Sequence, residues 1–157
     1  MTPKEELNVT KRNGRGKESL NIDKIHSMVG FATEGITGVS ASHVEMNSGI
    51  QFFDGIDTED IQQILIKSAN DLISLDNPNY QYVAARLLLF SLRKKLFHRL
   101  WEHPKFLDHI KLCVEKGMYD KDILVNYTEA EIDRLNGFID HERDYNFTYA
   151  GLRQVMD

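Results

Sequence analysis

One cysteine and three prolines in 157 residues leave little room for covalent bracing or rigid turns. Cys113 has no second thiol, so an internal disulfide is excluded, and so is a four-cysteine zinc site. No apolar run approaches the roughly 20 residues that span a bilayer. The opening Met1-Thr2-Pro3-Lys4-Glu5-Glu6 lacks the apolar segment of a signal peptide. Excess positive charge is missing too: the formal net charge of −5 argues against general nucleic-acid binding. These absences point to a protein of the reducing cytoplasm, with no membrane span and no direct nucleic-acid partner. The length suffices for one domain with a real core, or for a small domain and part of another.

Catalytic constellations are equally scarce. The six histidines show neither HExxH nor another metal-ligand spacing. Glu59-Asp60 is a carboxylate pair in the first turn of a helix, where the dipole favours acidic residues anyway. Cys113, between Leu112 and Val114, reads as a core thiol rather than a nucleophile. Gly14-Arg15-Gly16 lacks the Gly-Lys-Ser/Thr of a phosphate-binding P-loop. No catalytic residue and no metal ligand set is assigned.

What is present is organised around Val9–Ile25. Asn13-Gly14 is the dipeptide that a two-residue hairpin turn favours, Gly16 adds slack or a bulge, and Asn21 is a good cap for a helix beginning at Ile22. The stretch carries Lys11, Arg12, Arg15, Lys17 and Lys24 against Glu18 and Asp23. Positive charge beside free helix N–H groups suits phosphates; the same charge also describes an ordinary solvated hairpin. Residues 1–101 hold 12 basic and 12 acidic side chains, whereas 102–157 hold 7 and 12, so the acidity lies entirely in the second part. Pro104 lies near the shift.

Strands are expected at Leu7–Arg12 and Arg15–Leu20, and a helix over Ile22–Glu34 ended by Gly35 and Gly38. Ser42 and Glu45 have capping-box spacing for a second helix. Ile50–Gly55 is either a short strand or an irregular loop. The third helix is the clearest: Thr58 caps it, and Ile61, Ile64, Leu65, Ser68, Ala69, Leu72 and Ile73 fall on one stripe before Asp76-Asn77-Pro78 breaks it. The fourth, from Tyr80 to about Leu100, is apolar nearly all round and therefore buried on most sides. Arg93, Lys94 and Lys95 suit the C-terminal end of its dipole. Beyond Pro104, Leu107, Ile110 and Val114 share a helical face that Gly117 stops. Thr128 and Glu131 form a second capping box, leading into Ile132, Leu135 and Ile139. The pattern ends at Asp157 without a stop signal, as a truncated protein would.

Binding groups remain: Lys11 and Arg12 near the hairpin tip, Glu18 and Asn21 where the return strand meets the first helix, Lys24 one turn in, Thr58 heading the third helix and Lys94 ending the fourth. A hairpin lying over one end of a helical bundle brings them together, with cations on phosphates and Glu18 and Asn21 on the polar edge of a base.

Three ordered blocks resemble a known family: Val9-Thr10-Lys11-Arg12-Asn13-Gly14, Asn21-Ile22-Asp23-Lys24-Ile25 and Asp54-Gly55-Ile56-Asp57-Thr58-Glu59-Asp60-Ile61. They are similar to the ATP-cone at the N-terminus of class I ribonucleotide reductase large (alpha) subunits, of enterobacterial and phage type. Tyr80–Arg86 and Leu92–Lys95 continue the likeness. Gly117–Asp120 and Asp140–Asp144 extend it into the helical domain of those subunits.

The resemblance implies a mainly α fold with a small β-cap. Residues 1–95 would be an ATP-cone, a four-helix bundle covered by a β-hairpin or three-stranded sheet. Residues 96–157 would be the start of the helical N-terminal domain, with further helices. It implies ATP or dATP as allosteric effector, with Mg²⁺ through the phosphates. The positions matching the family's nucleotide site are Val9, Lys11, Arg12, Glu18, Asn21, Lys24, Ile25, Thr58 and Lys94. Gln62 stands where dATP-inhibited members carry a histidine against the ribose. The implied partners are the rest of the alpha subunit, a small radical-bearing di-iron beta subunit and thioredoxin or glutaredoxin, in a homodimer of the full subunit. The implied setting is the cytoplasm, that of the bacterial host if a phage encodes the protein. The hairpin is one residue longer than the bacterial pattern around Gly16, which shifts Arg15 and Lys17. The family's active-site residues lie in a barrel outside these positions, so the chain alone is expected to be inactive.

Other readings are a stand-alone nucleotide sensor, the cone of an anaerobic reductase, and a ligand-free cone that only makes protein contacts. Repressors with a cone carry a four-cysteine zinc ribbon before it, which a single cysteine rules out here. The blocks at Gly117–Asp120 and Asp140–Asp144 favour the aerobic type over the anaerobic one.

Overall fold

The computed structural model describes residues 7–11, 16–49, 51–98 and 102–156. The chain divides into two compact units, one of residues 1–92 with 144–157 and one of residues 93–143.

In the first unit, β1 (Asn8–Thr10) is the central strand of a three-stranded sheet ordered β2-β1-β3. β2 (Lys17–Ser19) runs antiparallel to it, pairing Val9 with Glu18. Gly16 has φ +109°, a conformation that glycine takes without strain, and its carbonyl accepts from the Lys11 N–H at 3.0 Å. The Asn13-Gly14 turn falls among residues outside the description. β3 is only Ile56–Asp57 and runs parallel to β1, with Val9 opposite Ile56 and Thr10 opposite Asp57. The third strand therefore follows the stretch in which a strand or loop was expected, and 51–55 form turn and loop.

Helix α1 (Ile22–Thr33) starts as expected: the Asn21 side chain accepts from the Lys24 N–H at 3.0 Å. α2 spans Ala41–Gly49. The expected Ser42/Glu45 capping box is not used, because the helix has already begun: the Val44 N–H reaches the Ser40 carbonyl, and Glu45 instead meets His26 of α1 at 2.9 Å. α3 spans Thr58–Asp71. Thr58 is its first helical residue rather than its cap, since Asp57 is the extended residue still paired with β1. Its buried face includes Ile61, Leu65, Ser68 and Ala69 as expected, but takes in Gln62 and Ile66 in place of Ile64. The helix ends before Leu72 and Ile73, ahead of the Asp76-Asn77-Pro78 breaker.

α4 (Tyr80–Phe97) is buried on most sides: Val83, Ala84, Ala85, Leu87, Leu88, Leu89 and Phe90 are all core residues. The Tyr80 hydroxyl accepts from the Ser40 N–H and meets the His43 ring, joining the starts of α4 and α2. Arg86 donates to the carbonyls of Ala32 and Glu34 at the end of α1, 3.4 and 2.6 Å away. Its guanidinium also lies 5.5 Å from the ring centre of Tyr145. Phe90 meets the same ring edge-on at 6.5 Å. These contacts tie the last segment, with α8 (Tyr149–Met156) and its buried Leu152, to the first unit.

The second unit holds α5 (Phe106–Glu115), α6 (Asp122–Asn126) and α7 (Glu129–Asn136). α5 packs against α7, and the Phe106 N–H donates to Asn136 Oδ1 at 3.1 Å. Gly117, at φ +68°, stops α5 as expected. The Thr128/Glu131 capping box is complete, with both reciprocal bonds present. Cys113 is buried and its sulfur lies 3.5 Å from His109 Nε2, as a core thiol. A 3-10 helix, His141–Asn146, leads back to the first unit. Among the described residues no helix is long and apolar enough to cross a membrane.

Candidate functional site

The sheet ties two helix starts to one strand. β2 leads into α1 through Asn21, and β3 leads into α3 with no intervening residue. Because Thr10 pairs with Asp57 in parallel, Lys11 and Thr58 leave the sheet at the same end, each one residue past a paired position. Residues two apart or directly opposite point to the same face of a sheet, which groups Val9, Lys11 and Glu18. The side chains agree: Lys11 Nζ lies 2.9 Å from Glu18 Oε2. This pair is half exposed, so it contributes little to stability and separates readily for a competing ligand.

Asn21, Lys24 and Ile25 lie together at the start of α1, beyond the opposite end of β1. The strand between the two groups has three residues, roughly 10 Å. Asn21 uses its oxygen as a cap, which leaves its NH₂ group as the donor for a ligand. Lys24 is exposed. Val9 and Ile25 are buried at 3% and 8% exposure, so they form floor rather than surface. Thr58 is half-buried, and Gln62, one turn on, is fully inside, its amide nitrogen 4.0 Å from the Met28 sulfur. Gln62 therefore does not cap solvent-exposed helix surface; it stands where α1 and α3 meet. Lys94 is half-buried in the last turn of α4. Arg12 lies outside the described residues.

The donor set fits a nucleotide: ammonium groups for phosphates, a carboxylate that accepts from an amine, an amide and a hydroxyl. Among its described residues, the groups that Mg²⁺ would take are the Thr58 hydroxyl and the Glu18 carboxylate.

Asp54 went unrecognised in the sequence. Its Oδ1 accepts from the Asn8 N–H at 2.8 Å and from Asn8 Nδ2 at 3.2 Å. The Gly55 N–H donates to the Asn8 carbonyl at 2.7 Å, and the Thr10 hydroxyl to the Gly55 carbonyl at 3.0 Å. Bonds to the Asn8 backbone and then its side chain hold the Asp54 carboxyl below its ordinary pKa. Asp54-Gly55 reads locally as a turn; a partner 46 positions away leaves no local signal.

The family model of the ATP cone domain matches residues 7–95. Among proteins of known name, the chain is 50% identical over 152 residues to the ribonucleoside-diphosphate reductase subunit alpha of Buchnera aphidicola from Acyrthosiphon pisum, covering 97% of this chain and 20% of that one. It is 50% identical over 149 residues to ribonucleoside-diphosphate reductase 1 subunit alpha of Escherichia coli, covering 95% of this chain and 19% of the relative. Against the alpha subunit of Enterobacteria phage T4 the identity is 42% over 151 residues, 96% of this chain and 20% of the relative. The chain thus spans about a fifth of the length of these relatives. ATP cones bind ATP or dATP as allosteric effectors. With its three-stranded sheet, the family match over residues 7–95 and relatives 50% identical over 95–97% of its length, the chain belongs to the ATP-cone family and is homologous to the N-terminal region of ribonucleoside-diphosphate reductase alpha subunits.

Proposed function

We propose that residues 1–95 take ATP or dATP to control the overall activity of a ribonucleoside-diphosphate reductase, and that 96–157 begin the helical domain of that enzyme. The observation that carries this reading is the ATP cone match over 7–95. The whole enzyme makes deoxyribonucleotides from ribonucleoside diphosphates. It works as a homodimer of the full alpha subunit, with a small radical-bearing di-iron beta subunit and thioredoxin or glutaredoxin, in the cytoplasm. This stretch alone turns over no substrate.

In the site, Lys11, Arg12, Lys24 and Lys94 hold phosphates, and Thr58 holds a phosphate or the Mg²⁺ that accompanies them. Mg²⁺ would neutralise phosphate charge. Val9 and Ile25 back the ligand, and Gln62 faces the sugar. Ligand entry separates Lys11 from Glu18: the ammonium turns to phosphate, and the carboxylate accepts from the exocyclic amine of adenine, beside the Asn21 amide. Guanine presents a carbonyl oxygen in that position, which a carboxylate cannot satisfy.

Calorimetry with ATP and magnesium on the chain and on Lys94→Ala tests the assignment: the variant should bind more weakly, and unchanged affinity would remove Lys94 from the site. GTP should compete poorly. ATP and dATP differ by one hydroxyl, and one neutral hydrogen bond contributes only about 0.5–1.5 kcal/mol. Their affinities should therefore agree within about tenfold, or 1.4 kcal/mol, and Gln62→His should alter the ratio. A hundredfold preference in the wild type, or a histidine variant that behaves identically, removes Gln62 from sugar recognition.

A further inference from the structure

We propose that Asp54 is a positioning residue for the nucleotide site, setting the distance between the hairpin groups and the start of α3. The inference rests on the nucleotide reading given above. β3 has two residues and makes one short parallel pairing, too little to fix a register by itself. Its connection to β1 runs through β2, α1 and α2, so chain connectivity does not fix the register either. α3 begins immediately after β3, and Asp57 makes no side-chain cap bond, so no cap locates the start of that helix. Burial of Ile56 presses β3 into the core, and the turn before it fixes its place beside β1. Asp54 takes both nitrogens of Asn8, the Gly55 N–H takes the Asn8 carbonyl, and the Thr10 hydroxyl takes the Gly55 carbonyl. The clamp thus grips β1 at both of its ends. Gly55 sits at φ +83° with nothing within 4 Å of where a Cβ would be, so backbone conformation rather than space demands glycine.

Val9, Lys11 and Glu18 are carried by β1 and β2, whereas Thr58 is carried by β3 and α3. Loosening the clamp lets one set move relative to the other. Asp54 itself is exposed, and among the described residues its side-chain hydrogen bonds go to Asn8, which is not an assigned binding residue, so its effect on a ligand is transmitted through the sheet. Lys17 also acts on the carboxylate through its charge, so geometry and charge must be tested apart.

The test is a nuclear magnetic resonance titration of the 157-residue chain, which reads weak as well as tight binding, with ATP plus magnesium and separately with adenosine. Asp54→Ala should weaken ATP by about tenfold while changing adenosine by less than about twofold, because the base end keeps its groups and the phosphate end loses its spacing. Asp54→Asn keeps an oxygen acceptor for the Asn8 N–H without the charge, and should restore ATP affinity to within about threefold. Equal weakening of ATP and adenosine would indicate a general structural defect and overturn the proposal. So would an alanine variant that binds ATP as the wild type does, or an asparagine variant no better than alanine. Adenosine that shifts no signal in the wild type also overturns it, since there is then no base end to be spaced from. A wild-type chain that ignores ATP altogether instead sinks the nucleotide reading itself.

Discussion

The two compact units bury helices with very different amounts of apolar surface. In the first, Val29, Val44, Ile56, Leu65, Val83 and Phe90 are fully enclosed, with contributions from a strand and four helices. Among the described residues of the second, the buried apolar ones are Ile110, Cys113 and Ile132, while Val125, Tyr127, Leu135 and Phe138 stay exposed. An open groove of about 630 Å³ runs beside them, lined by Phe106, Ile110, Ile132, Leu135 and Phe138 among others. The first unit is closed around its own core, and hydrogen bonds at the sheet and at the start of α1 order its candidate site. The second draws more on side-chain bonds to backbone at helix starts: the Thr128/Glu131 box and the Asn136 bond to the start of α5. Order within a unit can thus come from packing or from capping, and the two respond differently to mutation.

The sharpest way to break this comparison is to empty one core position in each unit. Leu65→Ala removes a fully enclosed side chain and should destabilise the first unit by about 2–5 kcal/mol. Ile132→Ala should fall at the low end, about 2 kcal/mol, because its surroundings open into the groove and can collapse. Amide exchange in α3 and α7 reads the two units separately, where a single melting curve would mix them. Equal losses would mean that the difference in burial carries no energetic weight; a loss below about 0.5 kcal/mol at Leu65 would mean that the wrong face of α3 has been assigned.

A smaller effect is expected at Arg86, where the first unit combines both strategies. Its guanidinium donates to two carbonyls at the end of α1 and lies over the Tyr145 ring. Hydrogen bonds to charged groups contribute about 1.5–3 kcal/mol, so Arg86→Ala should destabilise by that amount. It should also raise exchange in α8 before α3. Tyr145→Leu, which keeps apolar contact with Phe90 but removes the π face, should do less. If α8 exchanges no faster in either variant, this contact does not hold 144–157 to the first unit.

These contacts show which features were legible in the sequence. Capping by Asn21, the Thr128/Glu131 box and the burial of α4 all rest on spacings within a few residues, and each appears as read. The Ser42/Glu45 spacing was present but idle, since a motif cannot say whether Ser40 has already started the helix. β3 went unread because two residues carry no period of their own; pairing to Val9 and Thr10 makes them a strand. Tyr145 on Arg86 and Asp54 on Asn8 link positions far apart in the chain and leave no local trace. For the site, charge and turn chemistry gathered Lys11, Glu18 and Asn21, while the other positions came through resemblance. Burial of Val9 and Ile25 follows from their apolar side chains and their places in the central strand and on the buried face of α1.

The smallest expected effect compares two carboxylates, one in each unit. Asp54 is held below its ordinary pKa first by the Asn8 N–H and then by the Asn8 side chain, and Glu131 by the Thr128 N–H and then its hydroxyl. A folded-state pKa below the unfolded one means that the folded state favours the ionised form. The contribution is therefore fully present above the ordinary values of about 3.9 for Asp and 4.3 for Glu, and is lost as pH falls through the lowered ones. Exchange at the Asn8 and Thr128 amides, corrected for its intrinsic pH dependence, should lose protection over that acidic window. Asp54→Asn should flatten only the first loss and Glu131→Gln only the second. Salt separates them further. Lys17 helps to lower Asp54 through its charge, whereas no charged neighbour enters at Glu131. Raising ionic strength from 0.1 M towards 1 M shortens the screening length from about 10 Å to about 3 Å. It should shift the Asn8 transition slightly upward in pH and leave that of Thr128 in place. Equal salt shifts at both amides would mean that general surface charge, rather than Lys17, acts on Asp54.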